Sequence, residues 1–300
     1  MSTNKPKLIV ILGPTASGKS QLSVDLAQEF NGEIISADSR QVYRGLDIGS
    51  NKITSNEMKN VVHHLIDVAS PRKTFTVIRF QKLAMRTAQQ IICRGRLPFL
   101  VGGSPFYLYA VTEGWQLPPS SQDSQLRKEL FKKNPEELFR ILKQLDPVYA
   151  KKIDPSNSRR LIRAIEIAKT LGHVPPRQSY PLFESLFLGI DCPKDNLESR
   201  IIKRLDRRLE KGLIEEVKKI RQIPISWKRL EAFGLEYRWT ARYLQNKIDY
   251  SQMRRGIIKD SLKLVRHQMN WFKKDQRINW IENQNQSRKL IQDFLSNSLS

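Results

Sequence analysis

The sequence predicts an α/β protein: a parallel sheet core, interrupted by a helical insertion domain and followed by a helical C-terminal region. Two observations support this fold class. The first third of the chain alternates short apolar runs with helical patterns, as in a parallel sheet covered by helices. After Gly114 the signals are helical until an apolar run at 183–191 restores a strand pattern. We therefore predict a core of residues 1–118 plus 183–300 and an insertion domain at 119–182.

The elements of the first third follow from local patterns. Apolar runs that end in glycine or polar residues predict strands, and apolar residues three or four apart predict helices. The predicted strands are Leu8 to Leu12, Glu33 to Ser36 and Leu97 to Val101, and the predicted helices are Ser20 to Phe30 and Phe75 to Arg94.

The elements of the insertion follow from helix start and stop signals. Asn134 and Pro135 form an N-cap and first turn, with Glu137 at the third helical position. Another helix follows Asn157 and ends at Gly172. Before these helices, residues 117–121 have the proline and serine content of a linker.

Two basic helices are predicted in the C-terminal region. From Leu197 to Ile220, apolar residues recur at steps of four, then three, and form one stripe. The remaining surface of this stretch is crowded with basic residues: Arg200, Lys203, Arg204, Arg207, Arg208 and Lys211. A second basic helix is predicted from about Ser251 to Lys274.

Composition limits the function. The 300 residues include 52 Lys plus Arg and 30 Asp plus Glu, which gives a net charge of +22. Such a surplus repels itself in a folded protein, so it favours a nucleic-acid partner over a protein that is merely basic. Hydrophobic residues make up 39% of the chain, which excludes a fully disordered protein.

The two cysteines, Cys93 and Cys192, do not suffice for a disulfide framework or a Cys-rich zinc site. The apolar run Leu8 to Leu12 is too short for a membrane span or a signal peptide. We therefore expect a soluble intracellular protein with no membrane partner.

A phosphate-binding loop lies between the first strand and the first helix. It fits the pattern G-x-x-x-x-G-K-[ST] and consists of Gly13, Pro14, Thr15, Ala16, Ser17, Gly18, Lys19 and Ser20. Its N–H groups favour an anion, Lys19 adds charge for phosphate oxygens, and the Ser20 hydroxyl is placed to coordinate Mg²⁺. The core is thus predicted to be P-loop NTPase-like. The motif specifies a phosphate or pyrophosphate but not ATP.

Two further segments end predicted strands at the same edge of the sheet. Asp38 follows the second strand, where ligands of open α/β sheets bind. Its carboxylate could bind a metal through water, act as a general base, or cap the next turn. Ser104 follows Gly102 and Gly103 and offers a hydroxyl to the same crevice.

Other polar clusters are weaker candidates. His63 and His64 lack accompanying carboxylates or cysteines at metal-ligand spacing, so packing is favoured over a metal site. The like-charged pairs Lys203/Arg207 and Arg204/Arg208 repel mildly unless an anion bridges them. A nucleic-acid backbone would supply such an anion.

These motifs together resemble the tRNA dimethylallyltransferase family, over most of the chain. The matching stretches are GPTASGKS at 13–20, SADSRQVYRGLDIGSNK at 36–52, HHLIDV at 63–68, VGGSPFYLYAVTEG at 101–114, RRLIRAIEI at 159–167 and HQMNWF at 267–272. Two stretches depart from the family pattern: EAFGLEY at 231–237, where a tyrosine is displaced, and VRHQMNW at 265–271.

The resemblance implies a reaction. Dimethylallyl diphosphate would donate its five-carbon group to N6 of the adenine 3′-adjacent to the anticodon of tRNA, and pyrophosphate would leave. The phosphate loop would then bind the diphosphate together with Mg²⁺, and the partner would be the tRNA anticodon stem-loop. We expect a cytoplasmic monomer on the same ground.

The resemblance also implies roles for residues. Asp38 would take the proton from the adenine amine, and Thr15 and Ser104 would complete the catalytic set. The residues aligned with tRNA-contacting positions are Asp38, Ser39, Arg40, Gln41, Ser104, Arg127, Arg159, Arg160, Leu161, Ile162 and Arg163.

Three alternatives stay open. A P-loop nucleotide kinase would use the same loop with ATP, and an adenylate isopentenyltransferase would use AMP in place of tRNA. An RNA-binding protein without catalytic activity is the third, and the intact loop, Asp38 and Ser104 argue against it.

Overall fold

The computed structural model describes residues 5–118, 124–191 and 194–296. Its first elements confirm the predicted strands and helices of the first third to within two residues at each end. They are β1 (Lys7–Leu12), α1 (Lys19–Glu29), β2 (Gly32–Ser36), α2 (Ser55–Met58), β3 (His63–His64), α3 (Val77–Cys93), β4 (Leu97–Gly102) and α4 (Pro105–Thr112). The short elements α2, β3 and α4 were not predicted from the sequence.

Four helices follow in the next described segment: α5 (Ser124–Leu130), α6 (Pro135–Leu145), α7 (Pro147–Ala150) and α8 (Ser158–Leu171). The predicted start of α6 is confirmed, because Asn134 and Glu137 form a reciprocal capping box. The predicted end of α8 is also confirmed, because Gly172 adopts a left-handed conformation with φ 79°. The predicted linker at 117–121 lies partly outside the described residues.

The remaining elements are β5 (Glu184–Ile190), α9 (Lys194–Glu210), α10 (Leu213–Gln222), α11 (Trp227–Ala232), α12 (Leu235–Leu244), α13 (Tyr250–Phe272), β6 (Ile278–Ile281) and α14 (Gln284–Ser296). The apolar stripe from Leu197 to Ile220 belongs to two helices rather than one. Gly212, with φ 92°, separates α9 from α10. The C-terminal region also contributes the strand β6, which was not predicted from the sequence.

Within the described residues, one sheet has the strand order β3-β2-β4-β1-β5-β6, and its neighbouring strands are all parallel. The chain divides into two compact units, Met1–Gly114 with Pro181–Ser300, and Trp115–Tyr180. The sheet belongs to the first unit, whose core includes Ile9, Ile11, Phe99 and Leu188. Apolar side chains from α6 and α8 form the core of the second unit.

Two predictions about composition can be compared with the structure in part. In the described part of the chain, none of the helices is both long and apolar enough to cross a bilayer. Cys93 is an exposed free cysteine at the end of α3, and Cys192 lies outside the described residues.

Candidate active site

Three polar segments meet at one edge of the sheet, because β2, β4 and β1 are neighbours and parallel. Their carboxyl ends lead into the Asp38 segment, Ser104 and the phosphate loop. The backbone of Ala37 donates a hydrogen bond to the Val101 carbonyl at 2.7 Å. A Cβ on Gly102 would lie 2.3 Å from the Ala37 carbonyl oxygen, so this close approach requires glycine.

The phosphate loop, residues 13–18, connects β1 to the start of α1. Gly18 precedes the helix in a left-handed conformation, with φ 93°. The N-terminus of α1 has no side-chain cap and no acidic residue in its first turn. Its positive end is therefore open to an anion. The Lys19 ammonium lies beside the loop and donates to the Pro14 carbonyl at 2.7 Å.

Two hydroxyls of the loop suit a phosphorylated ligand and its metal. Ser17 is buried, and its Oγ has no hydrogen-bond partner among the described residues. Ser20 is exposed at the first turn of α1. No cluster of three or more His, Cys, Asp or Glu side chains suited to a metal occurs in the described ranges. Mg²⁺ would thus be held by the Ser20 hydroxyl and by phosphate oxygens of the ligand, an all-oxygen set that suits this ion.

Asp38 is half-buried just beyond β2. Its Oδ1 accepts hydrogen bonds from the backbone N–H groups of Arg40, at 2.7 Å, and Gln41, at 3.3 Å. This oxygen caps the following turn, which is one of the three roles that the sequence left open for Asp38. Within the described structure the other oxygen, Oδ2, has no hydrogen bond. One carboxylate therefore both holds the turn and presents a free acceptor beside the phosphate loop.

Ser104 also keeps its hydroxyl available. It occupies the N-cap position of α4, but its side chain makes no capping hydrogen bond. By contrast, the Gln41 side chain is engaged: Nε2 donates to the Asn51 carbonyl at 3.0 Å, and Oε1 accepts from the Ser36 hydroxyl at 3.1 Å. Among these predicted residues, Ser104 is therefore the better placed to bind a ligand.

A buried carboxylate holds the loop that follows Asp38. Glu216 in α10 accepts hydrogen bonds from the backbone N–H groups of residues 47, 48 and 49, at 2.9, 2.6 and 3.0 Å. The Tyr237 hydroxyl donates to the same carboxylate at 3.0 Å, and burial raises the pKa of this tyrosine. Tyr237 is the displaced tyrosine of the family pattern, and here it positions the loop through Glu216.

Two arginines of α9 do not lie on an exposed basic surface, where the sequence pattern predicted them. Arg208 is 6% exposed, and its guanidinium donates to Glu236 in the first turn of α12. Arg204, one turn earlier, is half-buried, with neither a hydrogen bond nor an ion pair among the described residues.

Arg204 carries a positive charge that is partly buried in the first unit. Burial lowers the pKa of Arg204 to about 10, as does the nearby Arg208, while the carboxylates of Glu236 and Asp38 oppose this shift. Arg204 therefore stays charged at neutral pH, and it has no ion-pair partner in the described structure. The sequence placed Arg204 and Arg208 four residues apart, which led us to expect an anion beside these like charges. For Arg208 that anion is the carboxylate of Glu236, 28 residues further along the chain, and not a nucleic-acid backbone.

The arginines predicted to contact tRNA in the second unit differ in exposure. Arg159 and Arg160 are exposed at the start of α8. Arg127 is also exposed and Arg163 is half-buried, and both pair with the buried carboxylate of Glu166, at 3.2 and 3.5 Å. Leu161 and Ile162 lie in the core of this unit, so only the arginines of this stretch offer side chains to a nucleic acid.

Exposed basic residues form stripes along two helices of the first unit. The α9 stripe contains Lys203, Arg207 and, one residue past the end of the helix, Lys211, and the α13 stripe contains Arg255, Lys259, Lys263 and Arg266. Both stripes have the spacing of one helix face. They are suited to a phosphate backbone, because like charges at this spacing otherwise repel.

The two adjacent histidines lie in β3, away from these stripes. His63 Nδ1 is 2.8 Å from the Val61 carbonyl oxygen, and His64 Nε2 is 2.6 Å from Glu33 Oε2. Arg94 contacts the same carboxylate oxygen at 2.7 Å. The histidines therefore take part in local packing and hydrogen bonding at the edge of the sheet.

The fold and the site define an α/β protein with a parallel sheet, in which a glycine-rich loop, a carboxylate and hydroxyls without hydrogen bonds in the described structure meet at one edge of the sheet. A family model described as IPP transferase matches residues 41–275, and one described as isopentenyl transferase matches residues 6–71. The chain belongs to this IPP transferase family, whose members include the tRNA dimethylallyltransferases. The resemblance seen in the motifs is thereby confirmed.

Individual relatives match this chain over most of their length. A tRNA dimethylallyltransferase 2 of Citrifermentans bemidjiense is 42% identical over 281 residues, which cover 92% of this chain and 91% of that protein. A tRNA dimethylallyltransferase of Thermomicrobium roseum is 38% identical over 292 residues, covering 94% of this chain and 88% of that protein.

Solved structures agree as well. The full-length tRNA isopentenylpyrophosphate transferase of Bacillus halodurans is 36% identical, with a TM-score of 0.73, and the match covers 98% of this chain and 97% of that one. A eukaryotic dimethylallyltransferase acting on tRNA is 26% identical, with a TM-score of 0.74 and coverage of 89% and 69%.

Proposed function

We propose that this protein transfers the dimethylallyl group of dimethylallyl diphosphate to N6 of the adenine 3′-adjacent to the tRNA anticodon, with release of pyrophosphate. The observation that carries this proposal is the free carboxylate oxygen of Asp38 at the same sheet edge as the phosphate loop. A phosphate loop alone fits many reactions, whereas a proton acceptor beside it fits transfer to an amine.

The phosphate loop would bind the diphosphate of the donor. As the bond between the allylic carbon and the diphosphate oxygen breaks, negative charge grows on the leaving pyrophosphate. The Lys19 ammonium, the N-terminus of α1 and the unpartnered Ser17 hydroxyl would stabilise that charge. Mg²⁺ held by Ser20 and the phosphates would add positive charge at the leaving group.

The acceptor side would use Asp38. A new bond forms between N6 and the allylic carbon, and the proton that N6 loses passes to Asp38 Oδ2. The hydroxyls of Thr15 and Ser104 would hydrogen-bond to the donor or to the reacting centre. We also assign Arg204 to this centre, because it is half-buried and charged and has no hydrogen bond or ion pair among the described residues.

The tRNA would be held by positive charge. Arg159 and Arg160 supply it in the second unit, and the stripes on α9 and α13 supply it in the first. An adenine stacked in the anticodon loop must leave its stack to reach Asp38, which costs a few kcal/mol. Contacts with the phosphate backbone offset that cost, which explains the net charge of +22. Since tRNA is the acceptor and one chain carries every proposed group, we propose a cytoplasmic monomer.

The direct test separates the three candidate reactions. Purified protein is mixed with Mg²⁺ and labelled dimethylallyl diphosphate, with unmodified tRNA in one tube and AMP in another. The products are digested, and prenylated adenosine is sought by mass spectrometry. Label in tRNA only is the expected result. Label in AMP only identifies an adenylate isopentenyltransferase, and ATP consumption without label in either acceptor identifies a kinase.

Replacing Lys19 with alanine should weaken binding of dimethylallyl diphosphate roughly 10- to 100-fold, since a charged hydrogen-bond donor to phosphate is lost. Isothermal titration calorimetry with the diphosphate measures this directly. The control is Lys82→Ala, which removes an exposed lysine on α3. An equal affinity in Lys19→Ala and the wild type would refute the assignment.

Replacing Arg160 with glutamate should weaken tRNA binding and reduce its logarithmic salt slope by about one or two. Arg160 lies in the first turn of α8, where an acidic residue is favourable, so the helix should persist. Filter binding at several salt concentrations gives the slope. Lys169→Glu makes the same charge change near the other end of α8. An unchanged slope for Arg160→Glu would place this residue outside the interface.

A further inference from the structure

The side chain of Gln268 joins the two loops that carry the predicted catalytic hydroxyls. Gln268 lies in α13 and is 7% exposed. Its Oε1 accepts a hydrogen bond from the backbone N–H of Thr15 at 3.1 Å. Its Nε2 donates to the Gly103 carbonyl at 2.6 Å. One amide thus connects the phosphate loop to the segment that ends in Ser104.

The two partners require a side chain that can both accept and donate a hydrogen bond. Thr15 offers a donor and Gly103 offers an acceptor, so the side chain between them must accept at one end and donate at the other. The backbone is fitted closely around this group. A Cβ on Gly103 would lie 2.7 Å from Gln268 Nε2 and 3.1 Å from the Gly13 carbonyl oxygen. Both loops therefore meet at the amide without spare room.

The helix that carries the amide is itself anchored. Val265 of α13 packs with Leu197 and Ile201 of α9, and Met269 lies against the same cluster. A shift of α13 or a loss of either hydrogen bond would therefore move the loops relative to each other. The reaction rate depends strongly on the positions of the reacting groups, because a displacement of about 1 Å can lower it roughly 100-fold.

We propose that Gln268 is a positioning residue for prenyl transfer, which sets the spacing between the Thr15 and Ser104 segments around the bound diphosphate. The proposal rests on the proposed function and goes beyond it. Because the Thr15 N–H bonds to Gln268, Thr15 serves the ligand through its hydroxyl, while other groups of the loop bind the phosphates.

The discriminating variant is Gln268→Glu, which keeps the size of the side chain. An ionised carboxylate accepts from Thr15 but cannot donate to Gly103, and it places an oxygen and a charge against the Gly103 carbonyl. A protonated carboxyl donates and accepts as the amide does. Burial beside a carbonyl oxygen opposes the charged form, so the introduced group should protonate well above the ordinary glutamate range.

We expect Gln268→Glu to lower kcat for prenyl transfer roughly 10- to 100-fold at pH 8 and to recover by at least about fivefold, relative to the wild type, at pH 6. The KM for tRNA should change little. Asn270→Asp is the matched control, since it introduces the same charge at an exposed amide of α13 and should follow the wild-type pH profile. Thermal unfolding of each variant is measured at both pH values.

Two results would overturn the proposal. One is a Gln268→Glu profile parallel to that of the wild type. The other is a loss that does not depend on pH and follows a lowered unfolding temperature, which indicates a purely structural role. Calorimetric binding of inorganic pyrophosphate provides a readout without transfer. If the wild type prenylates nothing, the proposed function fails, yet pH-dependent weakening of pyrophosphate binding in Gln268→Glu would still support the positioning role, and equal binding would refute it.

Discussion

Replacing Asp38 with asparagine is expected to reduce the single-turnover rate of prenyl transfer to tRNA by about two or more orders of magnitude, the size of effect seen for loss of a general base. The amine on an adenine ring is a weak nucleophile, and it must lose a proton as the new bond forms. Asp38 Oδ2, which has no hydrogen bond in the described structure, is the group proposed to accept that proton.

The geometry makes this substitution a clean test. An asparagine carbonyl oxygen can still accept from the N–H groups of Arg40 and Gln41, which bond to Asp38 Oδ1 at 2.7 and 3.3 Å in the wild type. The turn should therefore persist, and tRNA affinity should stay near that of the wild type. What changes is Oδ2, which becomes an amide nitrogen that donates and cannot take a proton.

The control for this test is Asp249→Asn. Asp249 also caps a helix start through its side chain, at the N-terminus of α13, but it is exposed. Rates are measured with labelled dimethylallyl diphosphate and enzyme in excess, and affinity by filter binding. A near-normal single-turnover rate in Asp38→Asn would remove Asp38 as the base and leave only its turn-capping role.

Much of this site could be predicted from sequence because its signals are local. The phosphate loop, Asp38 and Ser104 each follow an apolar run that predicts a strand, and parallel strands bring their carboxyl ends to one edge. The same local patterns predicted β1, β2 and β4. By contrast, β3 has only two residues and β6 only four, too short for a periodic pattern to stand out.

The contacts that join distant segments could not be predicted. Gln268 bonds to residues 253 and 165 positions away, and Glu216 bonds to a loop 167 to 169 positions away. The residues that flank Gln268 and Glu216 in the sequence do not indicate which distant segment either side chain binds. The prediction of one helix over the apolar stripe of α9 and α10 was wrong for a related reason. Apolar periodicity continues across Gly212, although the backbone turns there.

The buried pair of Arg208 and Glu236 gives the second large expected effect, on stability. Both residues are 6% exposed, and the guanidinium donates to the carboxylate. Glu236→Leu should lower the free energy of unfolding by about 3–5 kcal/mol, because it leaves Arg208 charged and buried without its partner. Arg204 adds to this loss, because the positive charges of Arg204 and Arg208 repel each other and the Glu236 carboxylate that offsets them is gone.

The double variant Arg208→Met with Glu236→Leu should regain most of that stability. A buried ion pair replaced as a unit by apolar side chains of similar size is often neutral or stabilising. The Nε of Arg208 already lacks a hydrogen-bond partner within the described residues, so its removal costs little. Free energies of unfolding from urea titrations complete a double-mutant cycle, and coupling of several kcal/mol is expected.

Additive losses in that cycle would contradict the assignment of the pair as one electrostatic unit. The same variants also distinguish an effect on stability from an effect on pyrophosphate binding. If Arg204 contacts the diphosphate, the double variant should fold as the wild type does yet bind pyrophosphate differently, because Glu236 no longer offsets the charge of Arg204. Glu236 stands in the stretch where this chain departs from its family's pattern, and in this chain its carboxylate is bound by Arg208 of α9.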